Sequence, residues 1–361
     1  MTSTVPRVAL APGYTIPRLI KGGWQLAGGH GAVDRAAALD DMTAFVAAGL
    51  TGFDCADIYT GVEALIGDFV RSRGGGADLR IHTKYVPDRA ALGGLTPADI
   101  TTAIDRSRAR LGVDVLDLVQ FHWWDYARPG MLEAAGQLHA HQRRGAIRHI
   151  GLTNCNTAAV AAVVGAGVPV VAHQVQYSLL DQRPAGAMTT LCAERGIGLL
   201  CYGALAGGFL SERYLGVPAP ETLSNRSLVK YRLIIDEFGG WDRFQRLLTT
   251  VARVAEKHAT AIGPVAVAWV LAQPQVAAVI VGARNAAHLA ATIHAATLRL
   301  DDDDLAALGA VLADGPAVPG DVYDLERATS GPHAAIMRYD LNATAATGDQ
   351  GSGTSKDTRA G

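Results

Sequence analysis

Charge is scarce in this chain: 18% of its 361 residues are charged, 6% are aromatic, and the formal net charge is −2. No basic field is therefore present to draw it to nucleic acid or anionic lipid. The four cysteines (Cys55, Cys155, Cys192, Cys201) are scattered, without a CxxC pair or a disulfide framework, which points to a reducing compartment. The longest purely apolar stretch, 158–172, contains Gly165, Gly167 and Pro169. It falls short of the ~20 apolar residues of a membrane span. The segment Met1–Arg7 has no apolar run of the secretory kind, so a cytoplasmic protein is expected. Also missing are GxGxxG, GxxxxGK[ST] and HExxH. The histidines show no metal-ligand spacing with cysteine or carboxylate, and no metal is expected.

Apolar residues are plentiful at 49%, enough for a sizeable core and too many for a disordered or fibrous chain. Short apolar runs alternate with longer amphipathic segments. The candidate strands are Arg18–Trp24, Gly52–Asp57, Arg80–Val86, Val115–Trp123, Ile147–Asn154, Val170–Tyr177, Gly198–Leu205 and Ala277–Gly282. Near-continuous apolar strands imply burial on both faces, and the alternation with helices implies parallel pairing. Eight such units fit a closed (β/α)8 TIM barrel of the α/β class. An open doubly wound sheet is the runner-up, but Gly22–Gly29 lacks the dinucleotide fingerprint expected after its first strand. The division expected is an N-terminal tail (1–14), the barrel (15–312), a C-terminal extension (313–341) and a disordered tail (342–361). A long loop, 206–240, should follow the seventh strand; loops of that length are usually lids or binding segments.

In such a barrel the site lies where the strands end. Asp54 and Tyr59 follow the second strand, Lys84 ends the third and His122 the fourth. A Lys84 cation would stabilise a Tyr59 phenolate and lower its pKa, Asp54 would hold the ammonium, and His122 could hydrogen-bond a substrate oxygen. The set suits proton delivery to a carbonyl becoming an alkoxide. Asp57 would cap its loop.

These residues lie in motifs that resemble the aldo-keto reductase superfamily. Gly52-Phe53-Asp54-x-Ala56-Asp57-x-Tyr59 is similar to its second-strand signature, and Thr83-Lys84 to its lysine motif. Arg110-Leu111-Gly112 through His122-Trp123 resembles its long fourth-strand signature. Gly151-Leu152-Thr153-Asn154 and His173-Gln174-Val175-Gln176-Tyr177 resemble its nicotinamide-side motifs. The resemblance runs in order over about residues 15–310. It implies a barrel oxidoreductase that uses NADP(H), or less often NAD(H), to interconvert a small carbonyl compound or sugar and its alcohol. Asp54, Tyr59, Lys84 and His122 would be catalytic, with Tyr59 as proton donor in reduction. Gly23 and Trp24 would lie against the cofactor, while Thr153, Asn154 and Gln174 would hold the carboxamide and Tyr202 would stack on the ring. The turn carrying Gly203, Leu205 and Gly207 would approach the pyrophosphate; Gly282, Arg284 and His288 would meet the adenosine end. Trp24, Trp123 and Trp124 would line the substrate pocket. Members that grip a 2′-phosphate often carry Lys, Ser and Arg where this chain has Gly282, Ala283 and His288, which leaves Arg284 to pair with it. The alternatives are a cofactor-binding regulatory subunit of the same barrel with little turnover, and a lyase or isomerase using Lys84 as a Schiff base. The latter would want an unpaired lysine. No nucleic-acid or membrane partner is expected.

Overall fold

The computed structural model describes residues 5–28, 31, 33–283 and 285–342. Among the described residues there are ten strands: β1 (Arg7–Ala11), β2 (Tyr14–Pro17), β3 (Leu19–Gly22), β4 (Gly52–Asp54), β5 (Arg80–Tyr85), β6 (Leu116–Phe121), β7 (Ile147–Thr153), β8 (Val170–Gln176), β9 (Gly198–Tyr202) and β10 (Val276–Gly282). The last eight form a closed barrel in the order β10-β3-β4-β5-β6-β7-β8-β9, parallel throughout. The (β/α)8 TIM barrel is thus the observed architecture.

Burial on both faces explains the apolar strands. Inside the barrel, Ile20, Leu118, Ala172, Leu200, Ala278 and Ile280 pack together. Outside, alternate strand residues such as Leu19, Phe53, Val119 and Leu199 meet helix residues including Phe45, Ile66, Ile104 and Val160 in a second, larger core. Side-chain caps start several of these helices. Asp34 accepts from two backbone amides, and Thr96 and Asp301 each form a capping box.

Three expectations change. Of the tail expected at 1–14, residues 7–14 are built into an antiparallel hairpin of β1 and β2 around Gly13 (φ 71°). It plugs the strand-start end of the barrel with Leu10, Tyr14 and Ile16, and the Tyr14 hydroxyl lies 3.1 Å from His82 Nε2. The stretch 206–240 is no open loop, since it contains the helix Arg226–Glu237 and two short 3-10 turns. Asparagine 225 caps that helix, and Leu228, Tyr231, Ile234 and Ile235 bury one of its faces, so apolar spacing outweighed the Gly and Pro signals around it. Of the tail expected at 342–361, Asn342 is held in place, accepting from Arg106 and donating to Val86 O and Asp88; residues 343–361 lie outside the described residues.

The C-terminal extension returns across the strand-end mouth. Asp321 accepts from the Thr157 amide at 2.7 Å, and Arg327 donates to Trp123 O at 2.7 Å. Glu326 receives both terminal nitrogens of Arg183 at 2.9 and 3.2 Å. Arg226 donates to Ile336 O. All four cysteines are free and buried.

Candidate active site

The strand ends surround a cavity of about 500 Å³, within the size of ordinary small-molecule sites. Three adjacent strands supply the polar cluster at and beneath its floor. Asp54 closes the short β4, Lys84 lies on β5 and Gln120 on β6; Lys84 and Gln120 are register partners. Lys84 Nζ sits 2.6 Å from Asp54 Oδ2 and 2.8 Å from Cys55 O. The other Asp54 oxygen accepts from Gln120 at 3.0 Å and Gln174 at 2.7 Å. The carboxylate is thus fully occupied, and the ammonium is fixed against it.

Tyr59 reaches the same place from the loop after β4. Its ring centroid is 5.0 Å from Lys84 Nζ and 5.1 Å from the Trp24 ring. Burial pushes the Tyr59 phenol up, and the Lys84 cation, the next largest influence, pulls it down without cancelling that rise. The expected lowering is therefore reversed in sign: one cation does not offset the loss of solvent around a buried phenol. Burial also works against the Lys84 charge, but Asp54 and then Tyr59 outweigh it and hold the ammonium above the ordinary lysine range. His122 lies edge-on to Trp124, with centroids 4.2 Å apart, and to Tyr323 at 5.7 Å. Its Nδ1 is 3.0 Å from Thr153 O. Burial, then the Arg327 cation, bring its pKa down to about 3, so the imidazole is neutral at pH 7.

The residues expected at a cofactor lie around the rest of the cavity. Trp24, Thr153, Asn154, Gln174, Tyr202, Gly203, Leu205, Gly207 and Gly282 all line it. Some polar atoms among them are already engaged. Gln174 spends its amide on Asp54 and Gln120, and Asn154 Oδ1 accepts from the Tyr202 hydroxyl at 2.8 Å. Others are open: Thr153 Oγ1, Gln25 Oε1 and His122 Nε2 are buried without a partner among the described residues. These three are polar atoms of cavity-lining residues that a water or a polar ligand would meet. Glycine is required twice in the turn after β9. Gly203 (φ 80°) and Gly207 (φ 67°) are left-handed, and a Cβ there would meet Tyr231 at 2.4 and 2.7 Å. The turn and the helix Arg226–Glu237 are pressed together with backbone facing the cavity, a cradle suited to a pyrophosphate.

Three expected site residues are not brought to the cavity. Gly23 tucks under it, its amide donating to Asp54 O at 2.7 Å; Gly22 takes the lining position. Trp123 is fully buried in the outer core and donates its indole N–H to Asp125 O, while Trp124 alone of that pair faces the cavity. Adjacent residues at a strand end point to opposite sides, and only one could be right. His288 is exposed, ending the short turn Ala286–His288 away from the cavity. Arg284 lies outside the described residues. Sequence reasoning missed Gln25, and it missed Lys230 and Tyr231 on the helix after β9; Gln120, a motif residue given no role, lies buried beneath the cavity against Asp54. It also missed Tyr323, Met337 and Arg338 of the extension. Gln120 was legible as an inward polar residue in an apolar strand. The others arrive by tertiary packing alone.

A parallel (β/α)8 barrel whose strand ends carry an Asp–Lys pair, a phenol and an imidazole around one cavity has the arrangement of a class of barrel oxidoreductases. The family model for the aldo/keto reductase family matches residues 18–313. The chain belongs to that family, whose members are oxidoreductases using nicotinamide cofactors. It is 30% identical over 288 residues to aldo-keto reductase str7 of Strobilurus tenacellus, covering 76% of this chain and 80% of that protein. It is 30% identical over 267 residues to aldo-keto reductase yakc [NADP(+)] of Schizosaccharomyces pombe, covering 70% and 76%. Among solved structures, the glycerol dehydrogenase AKR11B4 from Gluconobacter oxydans matches with a TM-score of 0.73 at 21% identity, covering 89% of this chain and 98% of that one. That last likeness concerns the fold. No helix among the described residues is long and apolar enough to cross a membrane.

Proposed function

We propose that the protein interconverts a small aldehyde, ketone or sugar and the corresponding alcohol with NADP(H), or less readily NAD(H), and that Tyr59 supplies the proton in reduction. The observation that carries this reading is the stack of Asp54, Lys84 and Tyr59, with a 2.6 Å ion pair set under the phenol. A nicotinamide, when bound, supplies or takes the hydride at the carbonyl carbon. Thr153, with its open hydroxyl, Asn154 and Gln174 would hold its carboxamide side, Tyr202 its ring face, and the Gly203–Gly207 turn its pyrophosphate. On the other side Trp24 and Trp124 would wall the substrate.

The proton's path belongs to this chain. Tyr59, kept neutral by burial, donates its O–H to the developing alkoxide. The phenolate left behind faces the Lys84 cation, which Asp54 prevents from swinging away. The arrangement therefore stabilises charge only when it develops. It also disfavours a Schiff-base role for Lys84, since a paired and fully charged amine is a poor nucleophile. The cysteines, free and buried, suit a reducing cytoplasm. The active unit would be the barrel, 15–312, together with the extension 313–341.

Fluorescence titration with NADPH and NADH, followed by a carbonyl and aldose panel, tests this. Tyr59→Phe should lower kcat by at least about 100-fold while the nucleotide dissociation constant holds. Undiminished turnover in that variant sinks the proton assignment. Tight nucleotide binding with no turnover on any substrate would favour the regulatory-subunit reading.

A further inference from the structure

Charge is spread unevenly around the cavity. The chain as a whole carries −2, yet the cavity is lined by Lys84, Arg226, Lys230 and Arg338 against a single carboxylate, Asp54. Lys84 and Asp54 cancel in their 2.6 Å pair. Lys230 is also answered. It stands 3.9 Å from Glu326, and the set Asp181, Arg183, Glu326 and Lys230 sums to zero. Arg226 and Arg338 have no such counterweight, since neither forms an ion pair among the described residues.

The two arginines arrive from different elements. Arg226 opens the helix Arg226–Glu237 after β9, and Arg338 is an exposed residue of the extension. Arg226 donates to the backbone oxygen of Ile336, which brings the helix start against the cavity-lining run 336–338. The guanidiniums feel each other there: burial, and next the Arg338 cation, lower the pKa of Arg226. Like charges side by side repel, and an anion placed between them turns that repulsion into attraction. A guanidinium matches a carboxylate or a phosphate with paired N–H donors.

An anion could reach this place on the substrate or on the nucleotide. The position of Arg338 favours the substrate. The next residue, Tyr339, packs on Trp124 with ring centroids 5.1 Å apart, and Trp124 in turn lies 4.2 Å from His122. The backbone cradle suited to a pyrophosphate is a separate piece, the Gly203–Gly207 turn. We propose that Arg226 and Arg338 hold an anionic group of the substrate, so that the enzyme acts on a carbonyl compound, or its alcohol, that carries a carboxylate or phosphate. This rests on the oxidoreductase reading and names a substrate class within it. A positive mouth on a weakly acidic molecule would also draw such substrates in, an attraction that salt weakens.

Matched acids and esters test it: 4-oxobutanoate and 4-carboxybenzaldehyde, each against its methyl ester, with NADPH as reductant. In at least one pair the acid should have the higher kcat/KM by about 10-fold, the worth of a charge-assisted hydrogen bond, and mostly through KM. The ester group makes the benzaldehyde carbonyl more electrophilic, so chemistry alone would favour the ester. Arg338→Gln should lower the acid-to-ester ratio about 10-fold, and Arg338→Lys should keep part of it. Esters preferred in both pairs, or a ratio unchanged in Arg338→Gln, overturns the proposal. NADPH dissociation constants of the same variants separate the other source of charge. A rise of about 10-fold in them with the ratio unmoved would assign the arginines to the nucleotide's phosphates and overturn it too. If no carbonyl is turned over, calorimetric titration of the full chain with benzoate and with benzamide still decides. Benzoate should bind more tightly and lose that advantage in Arg338→Gln. Equal binding of the two overturns the anion site, whereas missing turnover removes only the oxidoreductase reading.

Discussion

Asp57 shows how a carboxylate beside an active site can be something other than a catalyst. It is buried next to Glu63, its oxygens accept from the Val86 amide at 3.2 and 3.3 Å, and Arg106 approaches no closer than 3.9 Å. Burial first, then Glu63, push its pKa up to about 8 from an ordinary 3.8. A folded-state pKa above the unfolded one means that the protonated carboxyl favours folding. That stability is complete below pH ~4 and is lost as pH rises towards 8. Asp57→Asn, which cannot ionise, should raise Tm most at pH 8, less at pH 5, and change it little at pH 4. A Tm that falls equally at all three values would show that the ionised carboxylate is the favoured form. The proposed catalytic quartet was readable at this scale because each member ends a strand or follows one closely. The choice between Trp123 and Trp124 was not readable. A one-residue step past the end of β6 decides which ring faces the cavity, and neighbouring aromatics give no alternation to count.

At the scale of elements, the site depends on pieces that no motif describes. The extension is tied down through Arg183, whose side chain is 1% exposed and bridges Asp181 at 2.7 Å and Glu326 at 2.9 Å, both fully buried. Lys230 stands 3.9 Å from the same Glu326 and over the rings of Tyr202 and Tyr323. Glu326 therefore sets the position of Tyr323, a cavity residue three positions earlier in the chain. Glu326→Gln should cost about 1–3 kcal/mol, the value of charge-assisted hydrogen bonds lost in a buried setting. It should also raise KM more than it lowers kcat, because the wall moves while the Asp54–Lys84–Tyr59 stack stays. A variant with lowered Tm but unchanged KM would show that Tyr323 is held by other contacts. The hairpin β1–β2 was legible in principle, as Pro12-Gly13 separates two short apolar runs, a turn signal inside what had been read as a tail. The extension's part in the cavity was not. Tyr323 and Met337 reach the mouth only because some three hundred residues of barrel have closed first.

For the molecule as a whole, barrel closure was the most legible feature, since eight apolar runs in register with helices admit few topologies. What the sequence could not convey is how much polarity the interior holds. His82, His122 and His173 are all buried, and burial is the main reason that their pKa values fall to about 4, 3 and 4. Each is neutral when folded and free to take a proton, near pH 6.5, when unfolded. A depressed folded-state value means stability that is present above pH ~6.5 and lost as pH falls towards 4. The three histidines take up protons on unfolding while Asp57 releases one, so the net loss should approach about 3 kcal/mol per pH unit in that window. Urea unfolding at pH 7.5, 6 and 5 would measure it. A flat profile down to pH 5 would mean that these imidazoles ionise inside the fold.

The four cysteines give the folded chain an inert surface toward electrophiles. All are buried, and burial is the main influence raising each thiol, Cys155 to about 11 and Cys192 to about 12. An alkylating reagent has almost no thiolate to attack until the barrel opens. The rate of alkylation in a large excess of reagent should equal the unfolding rate constant and be independent of reagent concentration, with all four thiols modified together. Mass spectrometry of the chain during such a reaction would show only unmodified and fourfold-modified species. The same four buried side chains would thus serve as a clock for how often the barrel opens.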